Sequence, residues 1–134
     1  MSTKIFVNLP VADLRKSVDF FTRTGFTFNA QFTDEHATSM VVGDDIVVML
    51  LDRDRFADFT DKQICETSTH TEAIIALSAE SRDGVDELVE RALAAGARPS
   101  QEPMDQGFMY GRSFEDPDGH LWEVVWMDPS VIER

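Results

Sequence analysis

Cysteine is almost missing from this chain. Cys65 stands alone among 134 residues, so no internal disulfide can form and the fold must rest on its apolar core. It lies in a polar stretch ahead of His70, with no His–Cys arrangement at local spacing, and reads as a bystander rather than a nucleophile. Positive charge is scarce as well. Against 25 Asp and Glu there are 12 Lys and Arg, a formal net charge of −13. Binding to phosphates needs clustered basic residues, so this balance argues against nucleic acid and against an anionic membrane surface. No apolar run approaches the roughly 20 residues of a membrane-spanning helix. The N-terminal Met1-Ser2-Thr3-Lys4-Ile5 lacks the apolar core of a signal peptide, which makes a cytoplasmic protein the expectation. What is plentiful is hydrophobic residues, 43% of the chain, enough for one compact domain over 1–134.

Two similar passages divide the chain. In the first, Lys4 to Leu9 reads as a strand, and Asp13 is placed to cap a helix whose apolar positions Leu14, Val18 and Phe21 share one face. Gly25 ends that helix. Strand-like runs follow from Phe26 to Phe32 and Thr38 to Val42, then a turn at Gly43-Asp44-Asp45 and an apolar run from Ile46 to Leu51. The pattern is βαβββ. The second passage repeats it. Glu72 to Ala79 is a strand, and Ser81 or Asp83 caps a helix that carries Val85, Leu88, Val89, Ala92 and Leu93 on one face until Gly96 stops it. Ala97 to Gln101, Phe108 to Phe114 and His120 to Trp126 supply three more strands. The fold class is therefore α+β, with module 1 at about 1–51 and module 2 at about 72–134.

Between the modules, residues 52–71 are polar, with Phe56 and Phe59 at i and i+3. A short helix that lays both aromatics on the body is preferred to a plain linker, because two exposed Phe would each forgo roughly 1.5–3 kcal/mol of burial. A module of four strands and one helix leaves one sheet face uncovered. Pairing two such faces, within one chain or across a dimer, would form a cup.

The last third of the chain holds its most telling feature. Asp116-Pro117-Asp118-Gly119 is a hairpin turn with a mechanism, since Pro presets φ and Gly accepts φ > 0. Beyond it, Leu121-Trp122-Glu123-Val124-Val125-Trp126 sets one carboxylate in an apolar run. Trp122 and Trp126 alternate away from Glu123 and are expected under the helix as core. His36 reads as a turn residue and His120 as a rim residue. Gly107-Phe108-Met109-Tyr110-Gly111 suggests either a mobile lip or a bulge or tight packing contact.

The doubled βαβββ unit, with Val11-Ala12-Asp13-Leu14 leading a helix and D-P-D-G ahead of the last strand, resembles the vicinal oxygen chelate superfamily. That group holds glyoxalase I, extradiol dioxygenases, fosfomycin resistance proteins and bleomycin-binding proteins. The resemblance covers nearly the whole chain and implies paired modules forming a half-open barrel, commonly in a homodimer. It also implies metal ligands on the first and last strand of each module. Carried onto this chain, those positions are Phe6, Met49, Ile74 and Glu123. Phe and Ile have no donor atom, and the Met thioether prefers soft ions. One carboxylate does not hold Ni, Zn, Mn or Fe, which need about three protein ligands. No cofactor is expected, unless neighbours such as Asn8, Glu72 or His70 join Glu123 in a substitute metal site.

Three readings from different classes follow. One is a small-molecule binding domain with Phe6, Asn8, Met49, Ile74, Tyr110, Arg112 and Glu123 around the ligand. Arg112 and Tyr110 share a strand face by alternation, and a pairing of Arg112 with Glu123 would keep that carboxylate ionised. This reading predicts that small apolar or aromatic acids raise thermal stability. Another is a divergent glyoxalase-like lyase or isomerase in which desolvated Glu123 acts as acid or base beside a carbonyl. The third is a non-catalytic protein that associates with itself or another chain.

Overall fold

The computed structural model describes residues 3–131. The chain divides into two compact units with the boundary between Cys65 and Glu66, inside the polar connecting segment. Among the described residues no helix is long and apolar enough to cross a membrane.

The first unit contains β1 (Ile5–Val11), α1 (Leu14–Thr24), β2 (Thr27–Asn29), β3 (Ala37–Gly43), β4 (Ile46–Asp52) and α2 (Arg53–Ala57). Its sheet runs β1-β4-β3-β2, with β1 and β4 parallel and the other pairs antiparallel. Asp13 caps α1 by accepting from Lys16 N at 3.1 Å, which satisfies one of the N–H groups that a helix start leaves unpaired. Gly25 closes the helix at φ 116°, donating to Phe21 and Thr22 carbonyls, a conformation that favours glycine. The buried face of α1 is Ser17, Phe20, Phe21 and Thr24. It is turned from the expected Leu14–Val18–Phe21 line because two adjacent Phe claim the core, in edge contact at 4.8 Å. Leu14 and Val18 remain half-buried. Register places Leu9, Val11, Met40, Val48 and Leu50 on one sheet face, and all are buried.

Two expectations for this unit change. The second strand is only three residues long, because the Asn29 side chain accepts from Gln31 N at 3.0 Å and starts a 3-10 turn over Ala30–Phe32. A short helix does form after β4, capped by Asp52, but it ends at Ala57. Phe56 is half-buried while Phe59, beyond the helix end, is 74% exposed.

The second unit contains β5 (Ile74–Ser78), α3 (Arg82–Ala94), β6 (Arg98–Pro99), β7 (Met104–Asp105), β8 (Met109–Glu115) and β9 (Leu121–Met127). The sheet runs β5-β9-β8-β6, and β7 also pairs with β8 as a fifth strand. Ser81, not Asp83, caps α3, its Oγ accepting from Gly84 N at 2.9 Å. Val85, Val89 and Ala92 of α3 are buried, as are Phe114, Trp122 and Val124 of the sheet.

The Asp116–Gly119 turn is cross-linked from within. Asp116 Oδ1 accepts from Asp118 N at 2.9 Å and His120 N at 3.0 Å, and Oδ2 accepts from Trp122 Nε1 at 3.0 Å. Burial pushes the Asp116 carboxyl up, while His120 and the N–H of Trp122 oppose that shift. Gly119 sits at φ 87°, and a Cβ there would lie 2.6 Å from the carbonyl oxygen of Thr67. Thr67 Oγ1 in turn donates to the Asp118 carbonyl. The turn sets the hairpin register, in which Ser113 faces Glu123 and Arg112 faces Val124.

Candidate functional site

That register decides which side chains surround Glu123. On β9 the even positions Trp122 and Val124 are buried in the core, and Trp126 shares their face. Glu123, Val125 and Met127 therefore point to the opposite face. Ala76 and Ser113 flank Glu123 on the neighbouring strands, and the Ser113 hydroxyl accepts from Gln101 N at 2.9 Å. Glu123 is half-buried, and among the described residues it has neither a hydrogen-bond nor an ion-pair partner. Two hollows open beside it. One of about 160 Å³ is bordered by Gln101, Gly111, Ser113 and Glu123. The other, of about 480 Å³, is bordered by Ala76, Ser78, Met104, Met109, Glu123 and Met127. The surface is apolar and open, with Ile74 56%, Met127 45% and Met104 39% exposed.

Tyr110 and Arg112 turn their polar groups away from Glu123, although Arg112 also borders the smaller hollow. They share a face, as expected, but it is the face of Val124 and Trp126. The Tyr110 hydroxyl donates to Asp86 Oδ1 at 2.6 Å, and Arg112 donates to Asp86 Oδ1 at 3.0 Å and to Glu90 Oε2 at 2.8 Å. Those hydrogen bonds hold the Asp86 carboxyl below its ordinary range and raise the Tyr110 phenol. The alternative in which Arg112 pairs with Glu123 is not realised: an antiparallel hairpin that pairs 113 with 123 sends the 112 side chain to the other side.

The segment before β8 is held rather than loose. Arg82 donates to both Asp105 carboxylate oxygens at 2.9 and 2.8 Å and to the Gly107 carbonyl at 3.0 Å. Its guanidinium also stacks 5.1 Å from the Tyr110 ring centre and 5.3 Å from that of Trp126. The Arg82 hydrogen bond brings the Asp105 carboxyl down to about 2. Gly111 is buried, with space for a Cβ only at contact distance, 3.4 Å from Val125 Cγ2. The tight-packing alternative for this glycine is the one realised.

The positions at which the resemblance implies metal ligands offer a poor donor set. Phe6, Asn8 and Met49 share one face of the first sheet, with Asn8 beside Met49 and Phe6 beside Val47. Phe6 is 58% exposed, and Asn8 Nδ2 donates to the Phe6 carbonyl at 3.3 Å. Ile74 and Glu123 share one face of the second sheet. The substitute donors are engaged elsewhere. Glu72 Oε2 lies 3.0 Å from Nδ1 of His120, and His120 is buried rather than at a rim. His70 Nδ1 lies 2.7 Å from Thr69 Oγ1. His36 Nδ1 lies 2.6 Å from Asp52 Oδ2 in the first unit. Among the described residues no group of three or more His, Cys, Asp or Glu is arranged to hold a metal ion. Ni, Zn, Mn or Fe does not fit these donors.

Sequence reasoning missed Met104, Val125 and Met127. Alternation outward from Glu123 points to 125 and 127, whereas Met104 lies on a two-residue strand with no periodicity to read.

Comparison with known proteins agrees with the fold. A family model described as the Glyoxalase/Bleomycin resistance protein/Dioxygenase superfamily matches residues 5–124. The hypothetical protein SA1046 from S. aureus is 28% identical with a TM-score of 0.79, and the match covers 94% of each chain. FosX from Listeria monocytogenes, described as a genomically encoded fosfomycin resistance protein, is 24% identical, with a TM-score of 0.68 over 100% of this chain and 96% of that one. TnmS3 from Streptomyces sp. CB03234, described as an antibiotic binding protein, is 21% identical, with a TM-score of 0.65 over 95% and 97%. No curated protein matches the chain. A family match over residues 5–124, on two units that each lead with a strand and a helix and build a four- and a five-stranded sheet, means that this chain belongs to the glyoxalase/bleomycin resistance/dioxygenase superfamily.

Proposed function

We propose that the chain binds a small organic molecule against the Glu123 face of its second sheet, without the divalent metal common in its superfamily. The observation that carries this reading is a half-buried carboxylate with no partner among the described residues, set on an apolar face between two hollows. Apolar hollows with few convergent polar groups are the usual form of a ligand site. FosX and TnmS3 are described by their dealings with antibiotics, and binding of an organic compound is the part of that behaviour assigned to this chain. The protein is taken to work in the cytoplasm as a homodimer, which sedimentation at micromolar concentration checks.

Thermal-shift screening of a diverse small-molecule set tests the reading, since a ligand that binds only the folded state raises its stability. Ala76→Trp fills the larger hollow beside Glu123 and is expected to abolish the shifts while leaving the fold intact. Shifts that survive this substitution would place the ligand elsewhere. A second reading, a divergent glyoxalase-like lyase or isomerase, draws on the same absence of a partner, which leaves Glu123 free to move a proton. Glu123→Gln must then remove turnover; activity retained in that variant refutes the catalytic reading.

A further inference from the structure

We infer that the ligand is an organic cation, a protonated amine on a compact aromatic or aliphatic body. The inference rests on the reading of the Glu123 face as a ligand site and adds the sign of the ligand's charge. A half-buried carboxylate has lost part of its hydration and is stabilised by any cation that reaches it. Among the described residues no cation is paired with it. Arg112 is held by Asp86 and Glu90 on the opposite face, and Arg82 is held by Asp105. Glu102 borders the smaller hollow together with Glu123, and Arg112, which also borders it, has its guanidinium engaged by Asp86 and Glu90, so the carboxylates there outnumber the cation and that cation is already paired.

The walls fit the rest of such a molecule. Met104, Met109 and Met127 border the larger hollow. Their thioethers are polarizable, bend to fit irregular shapes and make favourable contacts with aromatic ring edges. The net charge of −13 draws cations towards the protein and repels anions at low ionic strength. The hollows, about 160 and 480 Å³, have room for a single ring with a short aminoalkyl arm.

Calorimetric titration of three compounds of matched shape decides the matter: 2-phenylethylamine as the cation, 2-phenylethanol as the neutral form and 3-phenylpropanoate as the anion. The amine is expected to bind about tenfold tighter than the alcohol, equivalent to about 1.4 kcal/mol, and the acid more weakly than either. Glu123→Gln is expected to erase the preference for the amine while retaining binding of the alcohol. Met127→Lys, on the same face and 45% exposed, places a positive charge beside the site and should shift selectivity in the same direction, so the test does not depend on one variant folding. If the alcohol or the acid binds as tightly as the amine to the wild-type chain, the cation inference falls and the small-molecule reading stands. If none of the three binds at millimolar concentration, the cation inference falls, and the thermal-shift screen alone decides the small-molecule reading.

Discussion

Replacing Gly119 by Ala separates two physical costs that usually arrive together. The residue sits at φ 87°, where an L side chain is strained, and its new Cβ would stand 2.6 Å from the Thr67 carbonyl oxygen and 3.1 Å from the carbonyl carbon. The strain alone costs about 1–2 kcal/mol. Overpacking against backbone adds about 1–3 kcal/mol, because Thr67 cannot simply retreat while its hydroxyl donates to the Asp118 carbonyl. The expected loss is therefore about 2–5 kcal/mol. Gly96 provides the control. It has φ 113° with nothing within 4 Å of a built Cβ, so Gly96→Ala should show the strain term only, about 1–2 kcal/mol. Urea unfolding of both variants, with midpoints compared at a common slope, measures the difference. In a Thr67→Ala background the penalty at 119 should shrink, since the segment is then free to shift and the two sites share a contact. Equal losses at 96 and 119, or a penalty at 119 unchanged by Thr67→Ala, would refute this account of the turn.

Three further outcomes are expected. Trp122→Phe removes the N–H that reaches Asp116 Oδ2 and leaves a buried carboxylate oxygen short of a donor, costing about 1–3 kcal/mol beyond the lost volume; denaturant midpoints check this, and a loss no larger than that of an ordinary core truncation would refute it. Asp105 has a folded-state pKa of about 2 against an ordinary 3.8, so its pairing with Arg82 adds stability that is complete above its unfolded-state pKa and is lost as pH falls through about 2; Asp105→Asn should flatten the thermal-denaturation profile between pH 4 and 2. His36 has its pKa raised by the Asp52 hydrogen bond, so its contribution is complete below 6.5, its ordinary value, and is lost as pH rises through the raised value. An NMR titration of the imidazole should move downward in Asp52→Asn, and an unchanged titration would remove this pair from the account.

The fold was largely legible because its signals are local. Asp13 and Gly25 bracket α1, and Ser81 opens α3, each through a side-chain or backbone bond within four residues. The D-P-D-G turn likewise declares its hairpin. The site was legible only in part. Alternation along β9 puts Glu123 and the two Trp on opposite faces as expected, but the face of Arg112 depends on pairing 113 with 123 across the turn, and a pairing shifted by one residue would reverse it. No local pattern announces that register. The partners that claim Arg112, Asp86 and Glu90, lie 26 and 22 residues away on α3, and such long-range pairings leave no periodic trace in one sequence. Phe59 shows the converse error, in which helical spacing was extended past a helix that Asp52 starts and Asp58 ends.

The two sheets also differ along their margins. In the first, β2 has three residues and β1 seven; in the second, β6 and β7 have two each and β5 five. Pro99 and Pro103 lie within or between the two shortest pieces, and Pro cannot donate to a ladder. Short, Pro-interrupted margins give a foreign strand too few hydrogen bonds to template on. One margin of each sheet is thus blunted against edge-to-edge aggregation, and the long margins β1 and β5 are where strand addition meets an uninterrupted backbone, save at Pro10, which withholds one donor near the end of β1.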